Sequence, residues 1–303
     1  MITNPMAHNH IYNTSHYNRA FAIGIGLNIV FVIIEAVYGM LAGSLALLAD
    51  AGHNLSDVLG LLLAWGAFYL SRKPVTDSRT YGFRKMTVMA SITSAIVLLL
   101  ALGGIVWEAV ERFNQPQPIA GMTVIVVALI GVVINTLTAL LFIKDQQHDL
   151  NIRGAFLHMA ADAGISLGVA IAGFVILQTG WLMVDPVISL FIVAIILIGT
   201  WGLLRDSFNL SIDAVPEIID MPGIRHYLTG LPQVQSIHDL HVWAISTTET
   251  ALSVHLVVVV EKLDNQLLSD IQKQLHDRFS IEHATIQMEQ SGQLLAEYDP
   301  DCH

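Results

Sequence analysis

Two pairs of residues in this chain have the type and spacing to do chemistry. In "LLADAGHNLSDVLG", residues 47–60, His53 precedes Asp57 by four positions; in "GAFLHMAADAGISLG" His158 precedes Asp162 by the same interval. Four residues is about one helical turn, so each pair lies on one helix face. One such pair could be a structural hydrogen bond or a step in a proton relay. Two matching pairs on separate helices can converge on one site with two imidazole nitrogens and two carboxylate oxygens. Zinc accepts four such ligands tetrahedrally. Two aspartates balance the dication while both imidazoles bind neutral, which matters wherever uncompensated charge is expensive. Two rival uses stay open at this point. One is an intramembrane zinc-dependent hydrolase with water at an open position. It needs a general base, no HExxH motif appears, and two His plus two Asp already fill four positions. The other is a membrane-anchored metal sensor, which has no need of matched pairs in the spans.

The elements that must position these pairs are membrane helices. Of 303 residues 54% are hydrophobic and only 13% charged, against about 25% charged in soluble domains. With a mean hydropathy of +0.61, a wholly soluble protein is excluded. A span needs roughly 20 apolar residues, and six blocks meet that: 19–41, 46–70, 86–108, 119–143, 154–178 and 182–204. The leader before them is not basic, so a cleaved signal peptide is not expected. A single cysteine, Cys302, excludes an intrachain disulfide framework. Arg72, Lys73, Arg79, Arg84 and Lys85 follow the second block, Lys144 and Arg153 the fourth, and Arg205 the sixth, whereas the opposite side has only Arg112. The positive-inside rule therefore places both termini in the cytoplasm. The net charge of −11 comes largely from the tail, and no nucleic-acid partner is expected.

A second unit begins near residue 208. "EIIDMPGIRHYLTGLP" reads as a short helix, while "VQSIHDLHVWAIS" and "ALSVHLVVVV" alternate like strands. "DNQLLSDIQKQLHDRF" puts Leu267, Leu268, Ile271 and Leu275 on one helical face, and "HATIQMEQ" is a last strand. The order αββαβ predicts a small two-layer α+β domain. The expected organisation is an N-terminal segment 1–18, a six-helix membrane domain 19–207, a cytoplasmic domain 208–290 and a tail 291–303.

The ordered set "GSLALLADAGHNLSD", "HMAADAGISLG", "DPVISL" and "IHDLHVW" resembles the cation diffusion facilitator family, over about residues 15–290. The resemblance implies six transmembrane helices with a ferredoxin-like cytoplasmic domain. It implies a homodimer in the bilayer, exporting a divalent metal from the cytosol against protons by alternating access, and not an enzyme. His53, Asp57, His158 and Asp162 then match the transport-site ligands. Histidine at the first of these positions is similar to the zinc branch, with Cd2+ or Co2+ as possible alternatives, and imidazole suits zinc better than manganese. His238, His255 and Glu289 match a cytoplasmic zinc site, and the terminal His8, His10, Cys302 and His303 resemble segments that complete such sites. Short loops suggest a bacterial cytoplasmic membrane.

Other polar residues have simpler readings. Asn28, Glu35 and Asn135 suit interhelical hydrogen bonding, ahead of a role along the ion path. Asp185 before Pro186 suits a cap on its own helix, ahead of a role on the exit path. Gly164, Gly168 and Ala172 form a small-residue stripe expected to allow close helix approach. His238 and His241, three apart on a strand, are expected on opposite faces. In two loops the chain departs from the family: the one after the second span has no histidine, and "IKDQQHDLNIR" has only His148. Thr87 stands where relatives often carry glutamate, leaving an interlock built on that charge in doubt.

Overall fold

A computed structural model describes residues 14–143, 150–259 and 265–290. The apolar blocks form α1 (Thr14–Ala42), α2 (Leu45–Ser71), α3 (Met86–Asn114), α4 (Gly121–Phe142), α5 (Leu150–Thr179) and α6 (Val184–Ser211). Five of these helices are long and apolar enough to cross a membrane, and α1 adds an apolar stretch over Asn28–Ala42. Both α3 and α6 outrun their apolar blocks, to Asn114 and Ser211, because the polar turns that follow contain no helix-breaking residue. The tail folds as α7 (Met221–Thr229), β1 (Val234–Ala244), β2 (Thr250–Val258), α8 (Asn265–Phe279) and β3 (His283–Gln290), the order αββαβ expected.

The chain forms two compact units, residues 1–59 with 97–199 and residues 60–96 with 200–303. The first is a helical bundle whose core is built from small and aliphatic side chains, among them Ala46, Leu47 and Ala49 of α2, Leu102 of α3, Ala128 of α4, Val169 of α5 and Ile192 of α6. Close helix approach in it is not made where the small-residue stripe suggested. A Cβ at Gly164 or Gly168 would meet nothing within 4 Å, and of that stripe only Ala172 is buried. The tight contacts lie where α4 meets α5 and α1. A Cβ at Gly121 would come 3.0 Å from the Gly173 carbonyl, and one at Gly131 would come 2.6 Å from the Phe31 ring. Large apolar side chains such as Trp65, Trp107, Phe191 and Ile198 remain on the outside, as lipid-facing surface requires.

Asp185 caps a helix, but not its own. Its carboxylate, buried in the first turn of α6, accepts from Ser44 Oγ at 2.5 Å, Leu45 N at 2.7 Å and Ala46 N at 3.2 Å. It thereby satisfies the amides left open at the start of α2. Arg112 Nη1 lies 3.6 Å from the same carboxylate and donates to the Gly43 carbonyl. Gly43 makes this turn at φ +67°, with the Pro118 carbonyl 2.8 Å from where a Cβ would stand. That combination admits only glycine.

In the second unit a three-stranded sheet runs in the order β1-β2-β3, antiparallel then parallel. The parallel pair is joined through α8, as a crossover requires. Leu252, Val254, Leu256 and Val258 of β2 point into a core with Ile224 and Leu228 of α7 and Ile271 and Leu275 of α8. By alternation, Ser253, His255 and Val257 take the face away from the helices. Asp220 accepts from Gly223 N at 3.0 Å and caps α7. Where α3 begins, Arg84 bonds Glu249 at 2.9 Å and Lys85 pairs with Asp213. Thr87 Oγ1 accepts from Thr247 N at 3.1 Å, a neutral hydrogen bond beside the two ion pairs.

Candidate metal centre

The bundle gathers His53, His158 and Asp162 so that one ligand atom from each lies within 4.8 Å of the others. His53 Nε2 approaches Asp162 Oδ1 at 3.3 Å, and His158 Nε2 lies 3.7 Å from Asp162 Oδ2. The imidazoles meet edge to face, with centroids 5.8 Å apart. Asp162 is 1% exposed, His53 17% and His158 42%. Asp162 Oδ2 accepts no hydrogen bond among the described residues. A buried carboxylate oxygen without a donor is costly, and a cation held between it and the two imidazoles removes that cost. Asp57 lies one turn beyond His53 on α2, but its side chain is outside the described residues.

Behind the cluster is a polar layer that sequence reasoning passed over in part. Asp50, one turn before His53, accepts from Ser166 Oγ at 2.8 Å. Glu35 accepts from Asn54 Nδ2 at 3.2 Å, an interhelical bond of the kind anticipated for Glu35. Asp50 could have been found from its place in "LLADAGH", where its spacing of three puts it on the His53 face.

In the second unit His238, His255 and Glu289 form another compact group. His238 Nε2 is 3.2 Å from Glu289 Oε2, His255 Nδ1 is 2.9 Å from Oε1, and the ring centroids are 4.9 Å apart. Register explains the meeting: His238 pairs with His255 across β1 and β2, and Glu289 sits on the same face of β3, opposite Val257. Partial burial works against ionisation of Glu289, yet the hydrogen bonds and charges of His238 and His255 outweigh it and hold its pKa below the usual value.

His241 departs from expectation. A bulge between His238 and His241, with Asp239 at φ 55°, pairs His241 with Ser253, two residues from His255. His241 therefore shares a face with His238 instead of opposing it, because the extra residue reverses the alternation. Its Nε2 lies 3.2 Å from Asp239 Oδ1. His8, His10, Cys302 and His303 lie outside the described residues.

Known proteins share this organisation. The cation efflux transmembrane domain matches residues 21–210, and the cytoplasmic domain of cation efflux proteins matches residues 216–291. The chain belongs to the cation efflux family, the cation diffusion facilitators. It is 37% identical to the zinc transporter ZitB of Escherichia coli, over 98% of this chain and 96% of that protein. It is 35% identical to a cadmium, cobalt and zinc/H(+)-K(+) antiporter of Bacillus subtilis, over 94% and 92%. It is 33% identical to the cation efflux system protein CzcD of an Alcaligenes strain, over 89% and 86%. As a cation efflux protein the chain is a multi-pass membrane transporter, not an enzyme, and the hydrolase and sensor readings give way.

Proposed function

We propose that this chain moves zinc out of the cytosol in exchange for protons, through an intramembrane site formed by His53, Asp57, His158 and Asp162. The observation that carries the reading is the convergence of His53, His158 and Asp162 within 4.8 Å, with an Asp162 oxygen that no donor satisfies among the described residues. The reading is also supported by the names of the relatives, which include zinc, cadmium, cobalt and proton exchange. Cd2+ and Co2+ fit the same donor set, since geometry and availability select among such ions.

The chemistry follows from competition between metal and proton. Imidazoles bind metal only when deprotonated, so loading releases protons and protonation releases metal. Histidine titrates in the range where a transmembrane pH difference can drive this. Facing the cytosol the site loads zinc; facing outward its histidines take protons and release the ion. His238, His255 and Glu289 are proposed as a second, cytoplasmic zinc site, to which His8, His10, Cys302 and His303 contribute. The working unit is proposed to be a homodimer in a bacterial inner membrane, both termini cytoplasmic, with membrane domain 19–207 and cytoplasmic domain 208–290.

The deciding experiment follows zinc and internal pH together in reconstituted vesicles, for the parent and for Asp162→Ala. Zinc movement with opposite proton movement, lost in the variant, is expected. Transport that survives the substitution would remove the intramembrane site from the reading, and zinc flux indifferent to the pH gradient would remove the exchange.

A further inference from the structure

The polar layer behind the metal cluster has a chemistry of its own. Glu35 on α1, Asp50 and Asn54 on α2 and Ser166 on α5 are all fully buried. Asn54 donates to Glu35 Oε2 at 3.2 Å, and Ser166 donates to Asp50 Oδ2 at 2.8 Å. Each carboxyl then has one oxygen, Glu35 Oε1 and Asp50 Oδ1, that accepts from no donor among the described residues. The two carboxyl groups face each other within hydrogen-bonding reach.

A hydrogen bond between two carboxyl groups needs a proton, since two carboxylates offer acceptors only. Two like charges in contact within the bilayer would also repel, with little water to screen them. Among the described residues, the groups that act on the pair are Asn54, Ser166, His53 of α2 and Asp162 of α5, with no lysine or arginine among them. Asp162 adds a further negative charge, and α4, which packs against α1 and α5, carries no titratable residue.

We propose that Glu35 and Asp50 share a single proton, forming a proton-binding site in the membrane domain separate from the cluster of His53, His158 and Asp162. The proton turns one orphaned oxygen into a donor to the other and leaves one negative charge in place of two. The inference rests on the exporter reading only for its use. In an exchanger, such a pair gives a counter-proton a place to bind that is not itself a metal ligand.

The test is the infrared carboxyl signal of the full-length protein in lipid vesicles at neutral pH, without divalent metal. The parent is expected to show the C=O stretch of one protonated acid, shifted on exchange into D2O. Glu35→Gln and Asp50→Asn should each abolish it, because the new amide supplies the donor and the remaining carboxyl ionises. Ser166→Ala keeps both acids and should move the band by removing a donor to Asp50. A parent without the band overturns the proposal, with no variant required to fold. A band unmoved by all three substitutions belongs to another acid and also overturns it. A band that appears only when sodium and potassium are withdrawn would mean that a cation, not a proton, bridges the pair. Because neither zinc nor transport enters this measurement, loss of transport in the same variants bears on the exporter reading alone.

Discussion

His53 and Asp162 meet at 3.3 Å across two helices, and His53 supplies one of the two nitrogen donors of the proposed site. Replacing it by carboxylate moves the donor set toward the oxygen ligands that manganese favours. His53→Asp is therefore expected to transport with a lower zinc-to-manganese ratio, read from competing uptake in vesicles; an unchanged ratio would show that selectivity resides elsewhere. Glu289 gives a pH prediction. Its folded pKa is lowered, so its contribution to stability is full above the ordinary glutamate value of about 4.3 and disappears as pH falls through the lowered value. In zinc-free buffer Glu289→Gln should flatten the acid limb of the melting curve. The approach of His158 to Asp162 was legible in the sequence because four-residue spacing survives in any helix. The face of His241 was not, because one bulge residue at Asp239 reverses strand parity and alternation alone carries no sign of it.

At the scale of elements, two glycines of the bundle should behave oppositely. Gly131→Ala drives a methyl to 2.6 Å from the Phe31 ring and 3.0 Å from Ser166 Oγ, an overpacking that costs about 1–3 kcal/mol. Gly164→Ala meets nothing and should be neutral or stabilising by up to roughly 1 kcal/mol. Thermal unfolding of the two variants in detergent checks the order. Asp185→Ala removes the acceptor for Ser44 and two α2 amides in a buried place, and is expected to destabilise by about 1–3 kcal/mol, with Asp185→Asn losing less. A stripe of small residues tells which helix can be approached closely, not which of its faces is. In the same way, the carboxylate before Pro186 announced a cap, but sequence proximity favoured its own helix, and only the packed bundle brings the start of α2 to it.

For the molecule as a whole, the six apolar blocks were readable because a span demands a run of about 20 apolar residues, and the αββαβ order of the tail because its strands alternate and its second helix has one apolar face. The contacts of Arg84, Lys85 and Thr87 with Glu249, Asp213 and Thr247 were not, since they join segments more than a hundred residues apart. The two candidate metal clusters share no residue, so zinc titration of the intact protein should resolve two classes of site. Asp162→Ala should remove one and Glu289→Ala the other, with nearly additive effects. Calorimetry that finds both classes lost in either variant would show that the clusters are coupled. Finally, 42% of His158 is open while Asp162 is all but sealed. On the proposed reading an arriving hydrated ion would meet His158 first, while still carrying most of its water. The carboxylate beneath would engage last, once that shell has been shed, and release would reverse the order. Such a graded grip separates how fast an ion is captured from how firmly it is held, and each can be altered through a different residue.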